Sequence, residues 1–162
     1  MNTQQILGCL ASGEIVVDRY RSHLHQDVLD LLPEALSRIR SEGRGFFKEV
    51  VHFDRVVGES TCVATREGDV ILFAQRPKRW GLTRFVANRA PEPCSSVVVI
   101  LKTADGMPGA YVLLTSFIGA SAEPEPWDRA ATAESLNFWA NHALIWGSEI
   151  VDPLTTTMDC PW

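Results

Sequence analysis

The sequence predicts an α+β domain: N-terminal helices, then a mostly antiparallel four- to five-stranded sheet, then a C-terminal helix. Three observations carry that expectation. Apolar residues between positions 24 and 39 recur at spacings of three and four, the period of a helix. From position 46 the pattern changes to alternation and valine-rich runs broken by turn residues, the signature of strands. The strands follow one another instead of alternating with helices, which argues against a doubly wound α/β fold. At 162 residues the chain suits one core. It is therefore expected to be a single domain, with a helical part over about 1–43, a sheet over about 46–118, and a C-terminal helix and tail over about 127–162.

Residues 3–11 suit a short helix stopped by Gly13, and 14–20 fit strand or helix equally. The stripe Leu24, Val28, Leu31, Leu32, Ala35, Leu36 and Ile39 makes one apolar helix face, with Ser22 as N-cap and Gly43 as C-cap. Pro33 either kinks that helix or opens a second one. Strands are expected at about 46–53, 61–65, 70–75, 96–103 and 110–118. Arg66-Glu67-Gly68-Asp69 should join the second and third of these as a hairpin. The run Val97–Leu101 is apolar on both faces, so it should be a central strand, with helices on one face of the sheet. A helix over about 133–144, capped by Thr132, precedes an irregular tail.

Net charge is −5, and its distribution is uneven. Residues 70–102 carry six cations (Arg76, Lys78, Arg79, Arg84, Arg89, Lys102) against the single acid Glu92. From residue 103 onward Arg129 is the only cation, against eight acids. A generally basic nucleic-acid binder is thereby excluded, and any polyanion should be met through one local patch. Cys9, Cys62, Cys94 and Cys160 have no Cys-x-x-Cys spacing and read as free, mostly buried thiols. Together with the scattered histidines they predict no metal and no cofactor. No apolar run reaches the roughly 20 residues of a membrane span, and the start lacks signal-peptide character. A soluble, cytoplasmic protein without a membrane partner is the expectation.

The usual catalytic signatures are absent: no Gly-x-Ser-x-Gly, Walker loop, dinucleotide fingerprint or His-Glu-x-x-His. What stands out is a constellation. Arg76, Lys78, Arg79, Trp80, Arg84 and Phe85 interleave guanidinium or ammonium groups with rings, the residue types that a phosphate-and-base surface needs. His52 shares a strand face with Lys48, and an imidazole is the side chain type that can move a proton at physiological pH. Thr115 and Ser116 place hydroxyls in an apolar strand, where each needs a partner.

A basic segment following a His-bearing strand, a valine-rich hairpin and a late strand reading Leu113-Leu114-Thr115-Ser116-Phe117 together resemble the barnase, colicin D and EndoU-type superfamily of metal-independent ribonucleases, many of them toxin domains of bacterial conflict systems. The resemblance covers about residues 46–118. It includes the string His52-Phe53-Asp54-Arg55-Val56-Val57-Gly58. It implies an endoribonuclease with RNA as partner and no cofactor. His52 would be the general acid or base, Arg84 would stabilise phosphorane charge, and Thr115 would hold a phosphate oxygen. Arg76, Lys78, Arg79, Trp80 and Arg89 would hold the strand. The branches with two histidines on the sheet have no match here, since His23, His25 and His142 fall on predicted helices. The alternative is a non-catalytic protein-interaction module or homo-oligomeric accessory protein, using the acidic second half, the Glu123-Pro124-Glu125-Pro126-Trp127 loop and Trp162.

Overall fold

A computed structural model describes residues 5–18 and 24–162. The expected N-cap Ser22 and the histidine His23 lie outside the described residues. The chain is mostly β, with 41% strand against 13% helix among the described residues, and this overturns the expected α+β order. Two helices and three sheets replace N-terminal helices followed by one sheet. Two compact units are present: Met1–Gly58 with Cys94–Ala120, and Glu59–Pro93 with Ser121–Trp162.

The first unit carries a sheet of β1 (Gln5–Cys9), β2 (Ile15–Asp18), β3 (Phe46–His52), β9 (Ser96–Thr103) and β10 (Ala110–Ile118), in the order β1-β2-β10-β9-β3. All pairs are antiparallel except β2 with β10. The expected helix at 3–11 is β1 instead. Nine residues interrupted by Gly8 make a marginal helix by themselves. The turn at Gly13, which has φ of 103°, folds them back as a strand on the β-branched run Ile15-Val16-Val17. Gly8 also lets β1 approach the helix, since a Cβ there would stand 3.1 Å from Leu36 Cδ1.

Helix α1 (Gln26–Leu36) contains Pro33 within it and starts at His25, without a side-chain cap. It ends at Ser37, six residues before Gly43. Its stripe of Val28, Leu32, Ala35 and Leu36 is buried as predicted, with Leu31 partly covered, against Phe47, Val51, Val97, Val99, Leu101 and Leu113. β9 is central, between β10 and β3, as its two-sided apolar run requires. Val97, Val98 and Val99 are completely buried.

The second unit carries β5 (Cys62–Ala64), β6 (Ile71–Gln75), β7 (Leu82–Val86), β11 (His142–Ile145) and β12 (Asp152–Thr157), in the order β12-β6-β7-β11-β5. The short strands β4 (Gly58–Ser60) and β8 (Glu92–Cys94) form a separate ladder. The hairpin expected across Arg66–Asp69 is not formed. The turn itself closes, with Asp69 N–H donating to the Arg66 carbonyl at 3.2 Å. But β6 pairs with β7 over five residues, a longer ladder than three-residue β5 offers, and β5 pairs with β11. The tail, expected to be irregular, supplies β12 on the edge of this sheet, and Trp162 packs edge-on against Phe73 at 5.2 Å. Helix α2 (Ala133–Asn141) begins at Thr132 as predicted, its N–H received by the Ser135 hydroxyl at 3.0 Å. It ends three residues early because His142–Ile145 joins the sheet in parallel with β7.

Candidate functional site

The predicted site residues divide between the two units. His52 and Thr115 belong to the first; Arg76, Lys78, Arg79, Trp80, Arg84 and Arg89 belong to the second.

In the first unit, register decides what shares a face. His52 lies opposite Ser96, Lys48 opposite Ile100, and Phe46 opposite Lys102. Across β9, Thr115 lies opposite Ile100 and Phe117 opposite Val98. Strict alternation from Leu113 would turn Thr115 onto the core face. A bulge at Leu114 adds one residue and returns Thr115 and Phe117 to the face of His52. That face presents Phe46, Lys48 and His52 from β3, Lys102 from β9, and Thr115 and Phe117 from β10, around the buried Ser96, Val98 and Val112. No carboxylate from these three strands shares it. Phe46 is 65% and Phe117 40% exposed, unusual for large apolar side chains in regular strands.

The two hydroxyls of β10 differ. The Ser116 hydroxyl is buried and donates to the Val98 carbonyl at 2.8 Å. The half-buried Thr115 hydroxyl has no hydrogen-bond partner among the described residues, so its donor is unspent. His52 is exposed at the end of β3, and its carbonyl receives Arg38 Nη1 at 2.7 Å. Four residues of register and two strands separate His52 from Thr115. Strand geometry makes that about 13 Å along and about 10 Å across, about 16 Å in all. Thr115 and Lys48 lie on one row, either side of Ile100.

In the second unit most of the sequence-basic segment is spent internally. Arg76 pairs with buried Glu125 and reaches Glu149 at 3.7 Å, and its Nε donates to Thr83 Oγ1 at 3.1 Å. Arg89 pairs with Asp69 at 3.1 Å and with Glu92, and donates to the Ala64 carbonyl at 2.9 Å. Burial works against the Asp69 charge, but the Arg66 N–H and the Arg89 guanidinium hold its carboxyl below the ordinary value. Arg84 donates to the His142 carbonyl at 2.9 Å and to Thr65 Oγ1 at 3.4 Å. Its burial lowers its pKa, against the opposing charges of Cys160 and Asp69. Lys78, Arg79 and Trp80 are exposed on the turn between β6 and β7. An open depression of about 570 Å³ is lined by Arg66, Asn88, Arg89, Ala90, Glu92 and Pro93, so its cations face a carboxylate.

Sequence reasoning found His52, Lys48 and Thr115 but missed Phe46, Phe117 and Lys102. Parity along β3 would have placed Phe46 beside Lys48; the bulge hid Phe117. The cysteines are free, and Cys9 and Cys160 are exposed rather than buried. Among the described residues no cluster of three or more His, Cys, Asp or Glu is arranged to hold a metal, and no helix is long and apolar enough to cross a membrane. No protein family, curated protein or solved structure matches the chain.

Proposed function

We propose that this chain acts on single-stranded RNA as a metal-independent, endoribonuclease-like domain, with the lysine-bearing face of the first sheet as its nucleic-acid surface. The observation that carries the reading is the shared face: His52 and Thr115 with Lys48, Lys102, Phe46 and Phe117, and no carboxylate among them. Lysines neutralise phosphates and exposed rings stack bases, which is how a sheet holds single-stranded RNA. The free Thr115 hydroxyl donates to a phosphate oxygen in this arrangement. His52, the imidazole on the face, takes the proton of a ribose 2′-hydroxyl as that oxygen attacks the adjacent phosphorus, and returns it to the departing 5′-oxygen; Arg38, paired with Glu34 at 3.3 Å, holds the His52 carbonyl. At about 16 Å from His52 by strand geometry, Thr115 serves a different nucleotide from the reacting one, so it positions the strand. Arg84, in the other unit and bonded to backbone, has a structural role in this reading.

The test uses the full chain with 5′-labelled single-stranded RNA in chelator. Cleavage should fall about a hundredfold or more in His52→Ala, the usual loss for an acid–base group. Lys48→Glu and Lys102→Glu should weaken binding and flatten its salt dependence, because fewer counterions are released. Intact RNA together with no salt-sensitive binding by the wild type overturns the reading. Cleavage that survives His52→Ala removes His52 from the reaction.

A further inference from the structure

β3 is the last strand on one side of the first sheet, so only one of its two edges is paired. Its register with β9 runs without a bulge from Phe46 to His52. At the two ends Phe53 N–H donates to the Ser95 carbonyl at 2.7 Å, and Thr103 N–H donates to the Gly45 carbonyl at 2.8 Å. In an antiparallel ladder the bonded pairs recur at every second residue. The odd-numbered residues from Gly45 to Phe53 therefore turn their main-chain groups to β9, and Phe46, Lys48, Val50 and His52 turn theirs outward. Arg38 fits that sense, since its Nη1 meets the His52 carbonyl at 2.7 Å. The N–H and C=O groups of Phe46, Lys48 and Val50 have no hydrogen-bond partner among the described residues. They recur about every 6.8 Å, the repeat of an edge that can template another strand.

The side chains along that edge carry uncompensated positive charge. Glu49 projects to the opposite face and pairs with Arg44 at 2.7 Å. At the His52 end, Glu34 and Asp54 are balanced by Arg38 and Arg55. Lys48 remains, exposed and without an ion pair among the described residues, between exposed Phe46 and half-buried Val50. Lys102, opposite Phe46 on β9, adds a second cation to the same face. A second copy of β3 suits this edge poorly. Antiparallel self-pairing centred on Glu49 sets two carboxylates side by side, and centring on Lys48 sets two ammonium groups together. Centring on Val50 sets Lys48 against His52 and leaves Phe46 opposite Asp54, outside the strand.

We infer that the outer edge of β3 takes an extended, acidic segment of another protein as an added antiparallel strand, with the pattern apolar-x-acid-x-apolar. The main-chain groups of Phe46, Lys48 and Val50 supply the attachment, and side chains at alternate positions supply the selection. The acid lies opposite Lys48, where unlike charges across a ladder attract, and the apolar residues lie opposite Phe46 and Val50. The edge belongs wholly to the first unit, and the inference does not rest on the RNA reading.

Fluorescence anisotropy of the full chain with the labelled peptide Ser-Thr-Val-Thr-Glu-Thr-Phe-Thr-Ser tests this. The peptide should bind saturably. N-methylation of its valine, glutamate and phenylalanine, whose N–H groups face β3, should weaken binding by about tenfold or more, while N-methylation of the threonines between them should change it little. Val50→Pro removes an outward N–H, which a strand edge tolerates, so it should weaken binding with circular dichroism unchanged. Lys48→Glu should lose this peptide and bind the counterpart with lysine in place of the glutamate, which keeps the test intact if Val50→Pro does not fold. No binding, equal loss from the two methylation patterns, or an unchanged preference for the acidic peptide in Lys48→Glu overturns the inference. So does a dimer of the chain itself that Val50→Pro dissolves, or binding of oligouridylate with none of the peptide, which leaves Lys48 to the RNA reading alone. Peptide binding without RNA cleavage sinks the RNA reading and leaves this one standing.

Discussion

Replacing Arg76 with methionine tests how the second unit is held together. Glu125 is buried and Arg76 is largely covered, their side chains 9% and 16% exposed. Glu125 Oε1 has no hydrogen-bond partner among the described residues, so the guanidinium compensates that carboxylate. Removing one member of a buried pair leaves an uncompensated charge and costs about 3–5 kcal/mol. The residual exposure of Arg76 puts this case near about 3 kcal/mol. In a chain of this size that lowers the unfolding midpoint by about 6–12 °C. Glu125→Gln should cost less, since it keeps the shape and removes the charge. The double variant Arg76→Met/Glu125→Leu should recover most of the loss, because an apolar pair of similar volume is close to neutral. Differential scanning calorimetry on the three variants and the wild type measures this. Single variants within about 2 °C of wild type would mean that the pair is solvated, which refutes the reasoning. A double variant worse than either single would locate the stability in the ion pair itself.

Two further outcomes are expected. Burial, helped by the Glu125 charge, pushes the Cys62 thiol up to about 11. Its thiolate fraction at pH 8 is then roughly a hundredfold below that of an ordinary thiol, so iodoacetamide should modify exposed Cys9 and Cys160 first and Cys62 last, read by peptide mass spectrometry. Equal rates at Cys62 and Cys160 would contradict the burial. The Ser12 and Ser41 hydroxyls hold the Glu14 carboxyl below its ordinary value. With the folded pKa depressed, this group's contribution is present above the unfolded carboxyl value and is lost as pH falls through the folded one. Urea midpoints should therefore drop on the acid side of about pH 4.5, and Ser41→Ala should shrink that drop; an unchanged acid limb would count against it.

Local features that need no distant partner are legible along the chain. The period of three and four made α1 and named its buried face, Val28, Leu32 and Leu36, because a stripe of that spacing has one way to leave water. The two-sided valine run made β9 central, and the alternation in β3 set His52 beside Lys48. Strand pairing is not legible in that way. Whether 5–9 became helix or strand depended on Ile15-Val16-Val17 folding back against it, and whether β6 joined β5 or β7 depended on which ladder was longer. The candidate site divided in the same way. The sequence supplied the cations of 70–102, but Glu125, 49 residues after Arg76, neutralises one of them, and Asp69 another. The face of Thr115 turned on one surplus residue at Leu114. Charge and period are properties of a segment and can be read along it. Ion pairing, strand partners and bulges depend on which distant segments meet, and that is settled by competition for burial over the whole chain.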